Sequence, residues 1–420
     1  MKLKFRLLIL PILVFALAGC GKDDDDEITG DVPTPTPTAP TEAPYHSLDM
    51  TTDDGKVTQL QKHKLGKGIP IVITGDGFVD RDIRDGKFRE ATNNTLDALF
   101  SVHPLKSLRD YFDVYEVTAV SYNDFSDLDA VMNSTNFSTA FNVDVTQSNG
   151  SGVTVTVFWV NSDGQDERKI VKYAEKAIGE DRINDATIVV LVNTDLGGGF
   201  CSYWSHVFTT EYRDAPTGCG IAYVPIYDMK QSYDYHISHY HFGRTLIHEF
   251  GHAFAKLADE YVWDEGKWDD PESAKWNLML YQSSGYHRNV SLYSDVTKTY
   301  WADFAADSRY DFEKLGCYEG GDCQARGVYR ASENSIMSES TWNHNNYNVI
   351  AREMFYKRCM NIAYGDSWTF DYEDFVKFDL DKAKAEYEEI QKLIKKLNYD
   401  DSASKRLAAP RVKDVVFAHR

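Results

Sequence analysis

The sequence predicts an α/β (α+β) fold, a mixed twisted sheet layered on helices with one apolar helix at its centre. Three observations lead to it. Apolar runs of strand length recur at Ile69–Thr74, Tyr111–Val120, Ala186–Asn193 and Ile221–Ile226; the continuous ones suit strands buried on both faces. Stretches with helical periodicity, Lys87–Phe100 and Glu167–Ile178, fall between them, and such alternation points to a sheet packed on helices. Finally, Leu246, Ile247, Phe250, Ala253, Phe254 and Leu257 repeat at the spacing of a buried helix.

With 420 residues, 42% hydrophobic and 13% aromatic, the chain can bury a large core, which excludes a disordered polypeptide. The formal charge of −20 argues against nucleic acid or an anionic membrane surface as a partner.

Taken in order, Met1–Arg6 is a basic leader and Leu7–Leu17 an apolar run too short to span a bilayer. It ends in Leu17-Ala18-Gly19-Cys20, which resembles the lipobox of bacterial lipoproteins; the resemblance implies cleavage before Cys20 and lipidation of its thiol. The removed residues 1–19 carry three cations and no acid, so cleavage would take the charge from −20 to −23. Asp23-Asp24-Asp25-Asp26-Glu27 resembles the export signal of surface lipoproteins in Bacteroidetes-type bacteria, which implies an outer-membrane protein exposed at the surface. Five prolines between Asp31 and Pro44 make residues 20–45 an extended stalk. A folded domain is expected over 46–380, followed by a helical, charge-laced extension over 381–420.

Within the domain, Ile69–Thr74 runs into Gly75-Asp76-Gly77. The acidic loop that follows lacks the alternating oxygen ligands and central glycine of a calcium loop and reads as structural. Val153–Val160 alternates as a strand should. The glycine run Leu196–Cys201 has no phosphate-loop ending and reads as a flexible turn beside a cleft. Ile221–Ile226 reads as an edge strand bordering a substrate.

His248-Glu249-Phe250-Gly251-His252 is H-E-x-x-H inside the apolar helix. At about 100° per residue, His248 and His252 lie one turn apart on one face and can share a zinc ion. Glu249 is then placed as general base toward a metal-bound water. A catalytic zinc usually takes a third protein ligand. Asp259 shares the helical face, but a straight helix would leave it about 10 Å beyond His252. A turn is therefore required near Lys256–Ala258, with Asp259 as third ligand and Glu260 as the alternative. His236, His239 and His241 read as polar packing ahead of the helix. Downstream, Ser335-Ile336-Met337-Ser338 looks like a Met-turn lying under the ligands, and Tyr347 and His344 are candidates to stabilise an oxyanion.

These pieces together resemble the immunoglobulin A peptidase family of metallopeptidases, family M64. The resemblance rests on Ile71–Phe78, Tyr111–Val120, Asn193 with the glycine run, His248–Tyr261 and Met337, over roughly residues 60 to 375. It implies a zincin or metzincin-like catalytic domain and a zinc endopeptidase with Glu249 as general base. The substrate does not carry over beyond a protein or peptide outside the cell. A different class of function remains open, a surface lipoprotein using a peptidase-like fold to bind proteins or glycans. Of the remaining cysteines, Cys201–Cys219 and Cys317–Cys323 close short loops and are the preferred disulfides, leaving Cys359 free.

Overall fold

The computed structural model describes residues 45–125, 138–143, 165–194, 198–204, 212–227, 229, 242–262, 271–338 and 346–396. The expected strand Val153–Val160, the Cys20 leader, His236, His239, His241 and His344 lie outside the described residues.

The main sheet has six strands: β1 (Val57–Gln61), β2 (Ile69–Asp76), β3 (Phe112–Val117), β4 (Thr187–Val192), β5 (Phe200–Tyr203) and β6 (Gly220–Pro225), in the spatial order β1-β3-β2-β4-β6-β5. The four inner strands run parallel, and β1 and β5 are antiparallel at the two edges. The fold is thus mixed α/β with a mixed sheet. The continuous apolar runs became inner strands because both faces are covered. Ile71 and Ile73 of β2 and Val189 and Leu191 of β4 face one core, while Val72, Ile188 and Val190 face another. Each fully buried Ile or Val contributes roughly 1.5–3 kcal/mol.

Helix α1 (Lys87–Leu99) is on the first face, and α2 (Gln165–Ile178) covers the second through Ile170, Val171 and Ala174. Helix α3 (Phe242–Phe250) packs on the first face through Leu246, Ile247 and Phe250. Beyond it lie α4 (Pro271–Ser283) and a small antiparallel sheet of β7 (Val290–Ser291), β8 (Tyr318–Gly321) and β9 (Gln324–Arg330). Ala258, Leu278, Val290 and Val328 form their own core there, so this segment packs directly against the chain that leaves α3.

Ile221–Pro225 is not an edge. As β6 it pairs with β4 on one side and β5 on the other, and the short strand β5 takes the edge. The glycine run therefore leads into a strand that the sequence reading treated as a turn.

The preferred disulfides do not form; all five cysteines in the described residues are free. Cys201 lies opposite Ala222 across β5 and β6, three residues from Cys219, an odd offset that puts the two thiols on opposite sheet faces. Cys201 accordingly joins the core on the α3 side and Cys219 the other. Cys317 stands at the open end of the β8–β9 hairpin and Cys323 at its turn. A four-residue strand separates them by about 13 Å, beyond the reach of a disulfide.

Helices α5 (Val349–Tyr364) and α6 (Tyr372–Lys396) close the chain, and α6 runs unbroken past residue 380. Buried Asp379 of α6 accepts hydrogen bonds from Arg352 Nε (2.7 Å), from the Tyr310 hydroxyl (3.1 Å) and lies 2.9 Å from His103 Nε2. Arg352 also meets Glu313, so the guanidinium is shared by two carboxylates. Two turns on, Glu386 accepts the His103 backbone N–H. Glu386 is partly exposed overall, but the burial of its carboxyl raises its pKa to about 7.

That shift sets a pH dependence. The folded chain keeps a proton on Glu386 that the unfolded chain releases above its ordinary value of 4.5. The contribution of this group is therefore fullest below about 4.5 and is lost as pH rises through about 7. Glu386→Gln, which can still accept from His103, should raise the melting temperature more at pH 8 than at pH 5; equal shifts at the two pH values would rule the account out.

Candidate metal centre

Helix α3 does not end as a plain α-helix. Gly251–Ala255 form a π-helical turn, and Lys256 then adopts the left-handed conformation with φ of 57°. The Lys256 N–H donates to the His252 carbonyl (3.1 Å) and the Leu257 N–H to that of Gly251 (3.3 Å), which closes the helix. This is the reversal required near Lys256–Ala258. A lysine in this conformation is disfavoured by roughly 1–2 kcal/mol. Its side chain is buried too, where Nζ donates to the Ala253 carbonyl (2.7 Å) and lies 4.6 Å from the centre of the Tyr203 ring, and burial pushes the pKa of the amine well below its ordinary value.

The reversal folds Asp259 back onto the helix. Asp259 Oδ1 lies 3.2 Å from His248 Nε2 and 3.0 Å from His252 Nε2, and the two Nε2 atoms are 3.1 Å apart. The other ring nitrogens are committed. His248 Nδ1 is 2.9 Å from the Ile336 carbonyl and His252 Nδ1 2.7 Å from the Leu257 carbonyl. A carbonyl only accepts, so each Nδ1 carries the proton and each Nε2 presents a lone pair.

With both rings neutral, three lone-pair donors thus converge on one point, and positive charge between them, a proton on an imidazole or a metal ion, makes that arrangement favourable. Four ligands around zinc at about 2.0–2.1 Å in a tetrahedron stand about 3.3 Å apart, close to the separations here. Among the described residues, His248, His252 and Asp259 are the one group of this kind. The residues fit a metal ion with three protein ligands; the donor set alone does not select zinc over other divalent ions. Without an ion, burial pulls the His252 pKa down, but the Asp259 carboxylate overrides it and holds it up at about 9, so a proton takes the place between them that a metal ion would fill. Burial likewise opposes the charge on Asp259, yet the two imidazoles keep its pKa well below the usual range.

Glu260, the alternative third ligand, is not with them. It points the other way, accepting hydrogen bonds from Asn289 Nδ2 (3.0 Å), Ser335 Oγ (2.7 Å) and Asn348 Nδ2 (3.1 Å). Consecutive side chains of this extended segment diverge, so only one of the two carboxylates can face the histidines.

Met337 is buried below the helix, and a Cβ added at Gly251 would come 3.0 Å from its sulfur and 3.2 Å from the Tyr347 ring. The residue just before His252 must therefore be small. The candidate oxyanion role of Tyr347 is overturned: its ring is fully buried and its hydroxyl donates to the Ile247 carbonyl, inside the helix packing. The other candidate, His344, lies outside the described residues. Glu249 is buried beside Gly199, where an added Cβ would stand 2.6 Å from Oε1. Gly199 was missed as a site residue because its run reads only as a flexible turn. Tyr261 was missed too; its ring lies parallel to that of His248, with centroids 6.3 Å apart.

A scan against protein-family models finds no match to this chain, and a search of curated proteins finds none either.

Chelator-stripped protein should take up one divalent ion per chain. Asp259→Ala should weaken zinc binding by at least about 100-fold. Tyr347→Phe should leave it within about twofold while costing about 1 kcal/mol of stability. Zinc titration and chemical denaturation of the two variants read these out, and unaltered binding by Asp259→Ala would remove it from the ligand set.

Proposed function

We propose that this chain is a zinc-dependent endopeptidase of the immunoglobulin A peptidase type, family M64, with a metzincin-like catalytic domain, hydrolysing peptide bonds of extracellular proteins. The observation that carries the reading is the convergence of His248 Nε2, His252 Nε2 and Asp259 Oδ1 on one point, with Glu249 on the same helix. A structural zinc site is normally closed by four protein ligands, whereas a catalytic one keeps a position for water. Among the described residues the group has three ligands, which supports the second kind.

His248, His252 and Asp259 would hold the ion, which when bound supplies Lewis acidity for activating water. Glu249 accepts a proton from the attacking water and delivers it to the leaving amine. Its burial beside Gly199 keeps the carboxylate in one place and away from bulk water. The strand β5 begins at Phe200, next to Gly199, and is the edge of the sheet among the described residues, where an extended peptide would be laid alongside it. The lipobox-like Cys20 and the acidic run after it support an outer-membrane lipoprotein facing outward, with host or mucosal proteins as substrates.

Glu249→Gln should bind zinc as the wild type does yet lose at least about 10³-fold in kcat/KM on an unfolded protein substrate, with chelator abolishing wild-type cleavage. If that variant cleaves at the wild-type rate, Glu249 is not the base. Wild-type protein that binds zinc but cleaves no substrate in a panel of extracellular and mucosal glycoproteins would favour a binding module instead.

A further inference from the structure

The carboxylate that does not face the metal site has an arrangement of its own, and it accounts for how the three ligands keep their geometry. Glu260 is buried, and its two oxygens accept from three side chains that come from separate parts of the chain. Asn289 lies just before β7, Ser335 lies in the turn that carries Met337, and Asn348 is the N-cap of α5. Its backbone N–H donates to the Met337 carbonyl (2.6 Å). Asn289, Ser335 and Asn348 are neutral partners, and each donates to a Glu260 oxygen.

From this hub short chains of contacts lead to each ligand. Asp259 is its chain neighbour. Ser335 and Met337, both bonded to Glu260, flank Ile336, whose carbonyl orients His248. Asn289 grips Ala258 at both backbone groups, accepting from its N–H and donating to its carbonyl, each at 2.8 Å. Ala258 follows Leu257, whose carbonyl orients His252.

We propose that Glu260 is the positioning residue of the metal centre, a buried clamp that sets His248, His252 and Asp259 together by joining the ligand turn, the Met337 turn and the start of α5. The inference rests on the metallopeptidase reading, because it assigns the clamp to a metal. Glu260→Gln tests it at constant volume. The new amide places a donor where Ser335 or Asn348 also donates, and the clamp cannot close on both sides.

The measurement is cobalt(II) binding and the visible absorption of the cobalt-loaded protein, compared between wild type, Glu260→Gln and Ser335→Ala. Glu260→Gln should lower cobalt affinity about 10–100-fold and, at saturating metal, shift or weaken the absorption that reports ligand geometry. Ser335→Ala, which removes one of the donors, should move both readouts in the same direction by less, and it gives the answer if the glutamine variant does not fold. Variants with lower melting temperature but wild-type affinity and an unchanged spectrum overturn the inference alone. A wild type that takes up no cobalt overturns the metallopeptidase reading and this inference with it.

Discussion

Two imidazoles whose Nδ1–H groups are held by backbone carbonyls leave their Nε2 lone pairs facing one carboxylate oxygen. Three electron-rich atoms at that distance repel unless positive charge, a proton or a metal ion, lies between them. That constraint organises the surrounding structure. It requires Asp259 to be buried and brought back over the helix that bears the histidines. It also requires carbonyl acceptors placed at the far side of each ring.

The return of Asp259 depends on a short stretch of unusual backbone. The π-helical turn Gly251–Ala255 and the left-handed Lys256 end α3 abruptly. Gly251 lets the sulfur of Met337 and the ring of Tyr347 close in beneath that turn. The buried Lys256 amine donates to the Ala253 carbonyl and lies against the Tyr203 ring.

The long segment between α3 and the Met337 turn is part of the centre. Asn289, from just before β7, holds the backbone of Ala258, and the turn Ser335–Met337 supplies the carbonyl behind His248. The main sheet contributes from the other side, where Gly199 at the foot of β5 leaves room for Glu249. Asp379 and Arg352 bind α6 to α5 through charges that are paired and hydrogen-bonded, as buried charges must be.

How much of this was legible depends on how local each signal is. His248, Glu249 and His252 were readable because one helical turn fixes their relation, and the inner strands β2 and β4 because continuous apolar runs have few other uses. The need for a turn before Asp259 followed from helix rise alone. The choice between Asp259 and Glu260 did not, since it depends on which face of the returning segment meets Asn289, Ser335 and Asn348, residues up to 88 positions away. Edge status failed for Ile221–Pro225 because it is a property of neighbours. The disulfides failed because loop length says nothing about which sheet face a cysteine occupies. The sequence by itself determined the helix, its two histidines and the acid between them, through periodicity within one element. Only the tertiary structure decided the third carboxylate, the confinement of Tyr347 and the pairing of Glu249 with Gly199, because each is settled by contact between segments distant in the chain.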